Sequence, residues 1–185
     1  HEGNTTYTKT DKTDVTTGNG SWSKKTSSTS ETTSKQFDDK GKVITSENGQ
    51  PAETVDNKAA SSKEMKVNKD SLSYSESNSV QDGSLKASNN SSVKVDSNGV
   101  SATNSTEVGA GPAKGTASHG VTFGENGLSV NGQVGVGVGP IGSQHEEEVS
   151  AGPNGTKTTS ASTISIATPE GKPVSGKLEY KITDI

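Results

Sequence analysis

The 185-residue chain has no cysteine and no arginine, and its aromatics are one tryptophan, three tyrosines and two phenylalanines. Without cysteine there are no disulfides and no thiolate metal ligands. Without arginine there is no planar fork to grip phosphate in two places. Lysine numbers 18 against 22 acidic residues, and the formal net charge is -4. With no basic face and few rings to stack on bases, a nucleic-acid partner is not expected. Leu, Ile, Val and Phe together number 28 of 185, below the roughly 20% under which chains struggle to build a core. A conventional globular enzyme is therefore not expected, and no apolar run approaches the ~20 residues of a membrane-spanning helix.

What the chain does have is 29 Ser, 23 Thr, 22 Gly and 13 Asn. Six Asn-X-Ser/Thr sequons (Asn4, Asn19, Asn89, Asn90, Asn104, Asn154) lie in that hydroxyl-rich background. They suit a secreted, extracellular protein that carries covalent glycans. So polar a chain can be ordered by backbone ladders, provided neighbouring repeats or neighbouring copies cover each apolar face.

Similar segments recur at a constant interval. Val93-Lys-Val-Asp-Ser-Asn-Gly-Val-Ser is followed by Val121-Thr-Phe-Gly-Glu-Asn-Gly-Leu-Ser and by Val149-Ser-Ala-Gly-Pro-Asn-Gly-Thr-Lys. Val108-Gly-Ala-Gly-Pro112 returns as Val136-Gly-Val-Gly-Pro140 at the same interval. Within each segment apolar and polar residues alternate, the period of a strand with two unlike faces. Asn-Gly predicts tight turns at positive φ, while Pro112 and Pro140, having no amide hydrogen, predict strand ends. Helix signals are confined to the short stretch 59–65, which has no apolar stripe. The expected fold is all-β: degenerate ~28-residue repeats forming a β-solenoid or stacked β-hairpin sheets, completed by self-assembly. It divides into a polar region at 1–64 with degenerate or capping repeats, tandem repeats at 65–175 and a C-terminal strand at 176–185.

Residues with chemistry are few. His1, with a second histidine such as His119 or His145, supplies the groups of a copper brace, but no aromatic-rich site accompanies them. In His145-Glu146-Glu147-Glu148 a strand would send neighbouring side chains to opposite faces and offer a metal at most two on a side, so the stretch is read as a solvated acidic turn. Nothing apolar surrounds Asp38-Asp39 to raise a carboxylate pKa, no Gly-X-Ser-X-Gly elbow is present, and the Gly-X-Gly runs at 135–139 precede no helix. The expectation is a non-enzymatic protein with no catalytic or metal site and no cofactor.

The reading is a secreted structural protein whose partner is itself, forming an extracellular fibre, matrix or coat by β-sheet stacking and strand exchange. Val134, Val136, Val138, Ile164 and Ile166 are the expected buried contacts. Leu178, Tyr180 and Ile182 alternate along a last strand of the kind that donates itself to a neighbour's sheet. Two other readings remain: an ice-binding solenoid, suggested by Thr6-Tyr7-Thr8-Lys9-Thr10, and the stalk of a surface adhesin.

Overall fold

The computed structural model describes residues 4–167 and 173–184, with side chains outside the description for Pro173 and 180–184. It is all-β. Eleven strands follow one another: β1 (Thr5–Gly18), β2 (Ser21–Lys35), β3 (Glu53–Val67), β4 (Ser71–Asp82), β5 (Leu85–Asp96), β6 (Gly99–Ala110), β7 (Ala113–Gly124), β8 (Gly127–Val138), β9 (Ile141–Gly152), β10 (Gly155–Ala167) and β11 (Pro173–Asp184). Each pairs antiparallel with its neighbours in the chain, giving one open sheet in sequence order. Among the described residues no strand touches any but its chain neighbours. Stretch 59–65 falls within β3.

The expected all-β hairpin architecture is found, and the solenoid is not. A solenoid sets parallel strands one coil apart on each other, whereas among the described residues every strand pairing is antiparallel between consecutive strands. The hairpins lie side by side in one layer, and the described residues supply no second layer for them to stack on.

From β4 to β10 the strands begin at Ser71, Leu85, Gly99, Ala113, Gly127, Ile141 and Gly155, so that a strand and its turn form a unit of constant length. The interval seen in the sequence is two such units, for a geometric reason. A two-residue antiparallel turn reverses the strand, so the equivalent position in the next unit lies on the opposite face and the one in the unit after that returns. Val93, Val121 and Val149 thus share a face, while Glu107 and Gly135, midway between them, lie on the other.

The turns alternate in kind with the same rhythm. At one end of the sheet Gly83, Gly111 and Gly139 open the turn at φ 56°, 55° and 54°, the signature of a type II′ hairpin; Pro112 and Pro140 follow as its second residue. At the other end Gly99, Gly127 and Gly155 come just after the turn, at φ 133°, 102° and 108°. Asn98, Asn126 and Asn154 are turn residues without positive φ, so the expectation for Asn-Gly is met by both residues only at Asn19-Gly20, φ 51° and 77°. The β2–β3 connection is longer and is tied by a closed ring of backbone bonds: Gln36 N–H to Ala52 O, Ala52 N–H to Ile44 O and Ile44 N–H to Gln36 O.

A single layer has no interior. Among the described residues only Ala161, 8% exposed, and Gly120 are buried.

Candidate assembly surface

The register fixes the face of every strand residue. In β1–β10, and at Val174 and Leu178 of β11, every Val, Leu, Ile, Met, Phe, Tyr and Trp lies on one face. Val55 is the exception, beyond the register shift at Thr32/Thr33. The other face is hydroxyl-rich, as in Ser71, Ser73, Ser75, Ser77 and Ser79 of β4.

The apolar face is organised in bands that run across the strands. Near one set of turns a ladder passes Val67, Leu72, Val95, Val100, Phe123, Leu128 and Ala151, with Met65, Tyr74, Val93, Ala102, Val121, Val130 and Val149 beside it. Near the opposite turns a second ladder passes Leu85, Ala110, Ala113, Val138, Ile141, Ile166 and Val174. Alongside it the sheet forms a trough of about 840 Å³ whose walls include Tyr7, Val80, Leu85, Val108, Val136 and Val138.

Between the bands lies a polar strip whose side chains bond one another. Asn89 Nδ2 donates to Thr106 Oγ1 at 2.8 Å, and Asn104 Nδ2 donates to Ser91 Oγ at 2.6 Å. His145 Nδ1 sits 2.7 Å from Ser162 Oγ, and its Nε2 sits 3.1 Å from Glu147 Oε1. Residues 145–148 lie within β9 and not in the acidic turn expected of them, and the strand alternation puts His145 and Glu147 on this face and Glu146 and Glu148 on the other. The closeness of Ser162 to His145 was not legible from the sequence, because it depends on the β9–β10 register. The three side chains follow the order nucleophile, base, orienting acid. Yet they stand on an open sheet whose backbone N–H groups are spent in the β9 and β10 ladders and so are not free to serve as oxyanion donors.

Elsewhere the singled-out residues make structure. Asp38 Oδ1 accepts the N–H groups of Lys40 and Lys42, each at 2.9 Å, and closes a turn. Among the described residues no three His, Asp or Glu side chains gather around a common point for a metal, and no helix is long and apolar enough to cross a membrane. His1 lies outside the described residues.

The expected buried contacts are brought together but not covered. Val134, Val136 and Val138 share the apolar face with Ile164 and Ile166, and Val136 and Ile164 remain 62% and 60% exposed. Within one chain the expectation of burial is not met, because no layer lies over them. The expected donor strand is also paired at home: residues 173–184 run antiparallel to β10, and Leu178, opposite Ser162, is 76% exposed. Tyr180 and Ile182 take the register positions opposite Ser160 and Thr158; their side chains lie outside the described residues.

The sequons divide by place. Asn19 and Asn154 are exposed turn residues, and Asn4 precedes β1. Asn89 and Asn104 lie in the polar strip with their amide nitrogens committed to hydrogen bonds. Asn90 is on the hydroxyl face, where its Oδ1 accepts from Ser77 Oγ at 2.6 Å. Comparison with protein families, with curated proteins and with solved structures finds no match to this chain.

Proposed function

We propose that the protein is structural and that its partner is a second copy of itself, laid face to face against the apolar side of the sheet within an extracellular fibre, matrix or coat. The observation that carries this reading is the sorting of the large apolar side chains of the strands onto one face that nothing among the described residues covers. A sheet with one apolar face is stable when that face meets another layer. Eleven strands at ~4.8 Å spacing and about 12 residues at ~3.4 Å rise span an area on the order of 2,000 Å². That is more than twice the ~800 Å² that each partner of a stable complex contributes.

A second copy fits because the two apolar bands lie near the two strand ends with the polar strip between. A copy turned about a two-fold axis in the plane of the sheet sets band on band. Within the strip Asn89, Asn104 and His145 already have hydrogen-bond partners when covered, and the charges there can be covered as pairs, Lys63 standing opposite Glu76 and Glu147 lying beside His145. The ice-binding reading has less support: Thr6, Thr8 and Thr10 share the hydroxyl face but stand opposite Thr33, Glu31 and Thr29, so the threonine row is interrupted at β2.

Val136→Lys sets a charge on the wall of the apolar trough and is expected to abolish self-association in sedimentation velocity, with Ser88→Lys on the opposite face as the control. Equal association of the two variants would refute face-to-face packing. Glycans on such an assembly belong at the turn sequons Asn19 and Asn154, clear of the stacked face. Peptide mapping of native assembled material checks this, and sugar on Asn104 within assemblies would contradict it.

A further inference from the structure

Two sheet edges remain after the faces are paired, the outer sides of β1 and β11. Each presents a row of unpaired backbone groups, the feature that edge-to-edge addition uses. Eleven is odd, so in a sheet of consecutive antiparallel strands β1 and β11 run in the same direction. A second copy brought up along the hydrogen-bonding direction, and turned so as to continue the twist of the sheet, therefore places its β1 beside the first copy's β11 as a parallel pair, with the apolar face continuing from one copy to the next.

Charge selects the register. β1 carries Lys12 and Asp14, 3.5 Å apart and both exposed. β11 carries Lys177 and Glu179, 3.3 Å apart and both exposed. All four lie on the hydroxyl face. Only shifts by an even number of residues keep that face. In the register that overlaps the whole of β11, Lys12 stands beside Glu179, Asp14 beside position 181, which is lysine in the sequence, and on the apolar face Tyr7 stands beside Val174. A shift by two one way sets Lys12 beside Lys177 and Asp14 beside Glu179; a shift by two the other way sets Lys12 beside position 181. Both oppose like charges, which destabilises a strand pair.

Two-fold pairing of like edges serves less well. The two central face-preserving registers of β1 against itself put Asp11 on Asp11 or Lys12 on Lys12. β11 against itself, centred on Leu178, matches Lys177 with Glu179 twice, but it leaves a bare β1 at each end of the pair. Head-to-tail addition uses both edges of every copy.

We propose that copies join head to tail through a parallel β11–β1 ladder in this single register, with Lys12 of one copy paired to Glu179 of the next. A heterologous contact of this kind does not close on itself and generates an open filament. The inference rests on the reading that the chain assembles with itself and adds the joint by which it lengthens.

The test is a charge exchange on the 185-residue chain, with filament length and onset concentration read by electron microscopy and sedimentation, and folding checked by circular dichroism. Lys12→Glu and Glu179→Lys, each alone, are expected to raise the onset concentration roughly fivefold, and the double variant to restore the wild-type value. Filaments unchanged in both single variants overturn the joint while leaving self-assembly standing. So does loss with Glu179→Lys together with no effect of Lys12→Glu, which marks β11–β11 pairing. A wild-type chain that stays monomeric at every concentration removes the assembly reading itself.

Discussion

Asp96 shows how a single residue stabilises a turn in a chain with almost no interior. It ends β5; its Oδ1 accepts the Asn98 N–H at 2.8 Å and its Oδ2 lies 2.8 Å from Lys94 Nζ. The bond from Lys94 first, and then the Asn98 N–H, hold its carboxyl below the usual carboxylate value. A lowered folded pKa means stability that is fully present above the unfolded value of ~3.9 and lost as pH falls through the folded value. Denaturation of the wild type and of Asp96→Asn, followed from pH 6 to pH 2, is expected to show a gap that narrows below about pH 4. A gap that does not change with pH would show that the carboxylate's charge is not what matters there. The sequence marked Asp96 only as part of Asp-Ser-Asn-Gly; its ion pair with Lys94, two positions back on the same face, follows once the segment is extended.

At the level of the strand and its turn, much was legible. Val/Gly alternation in β8 sends Val134, Val136 and Val138 to one face and Gly135 and Gly137 to the other, and the structure keeps that division. Pro112 and Pro140 end strands as their chemistry requires. Less legible was the turn geometry, because Asn-Gly fits both a turn with two positive φ angles and a turn whose glycine comes one position later; only tertiary register decides between them. Gly127 is of the second kind: at φ 102° an added Cβ would sit 2.0 Å from the Ala151 carbonyl oxygen. Gly139, at φ 54°, has nothing within 4 Å of that position. Gly139→Ala is expected to cost about 1–2 kcal/mol for a side chain at the positive-φ position of the type II′ turn alone, and Gly127→Ala roughly 3 kcal/mol because the contact adds to the strain. Urea unfolding of the two variants checks this, and equal midpoints would contradict it.

For the whole molecule the sequence pointed to an all-β chain and to apolar residues needing a cover from outside, but not to the architecture. The interval from Val93 to Val121 is compatible with one wide coil or with two strands and two turns, since both return a residue to its starting face. What separates them is whether the strand one interval further along is a hydrogen-bonded neighbour, and composition carries no information about that. In the structure it is the second neighbour: β7 follows β5 with β6 between. Glu107 and Gly135, each midway between two of the valines and out of phase with them, were the clue available in the sequence.

The pairwise period also bears on how such a chain can change in length. Duplicating one strand with its turn would carry its apolar residues to the wrong side and reverse the direction of all that follows. Duplicating two preserves both. Every addition or loss of a whole pair also leaves the number of strands odd, so the outermost strands stay parallel whatever the total. Descendants of this sequence are therefore free to differ in breadth by whole hairpins while keeping the same two borders. An insertion or deletion of an odd number of residues inside one of the strands β4–β10 sends the part of the strand beyond it to the other face.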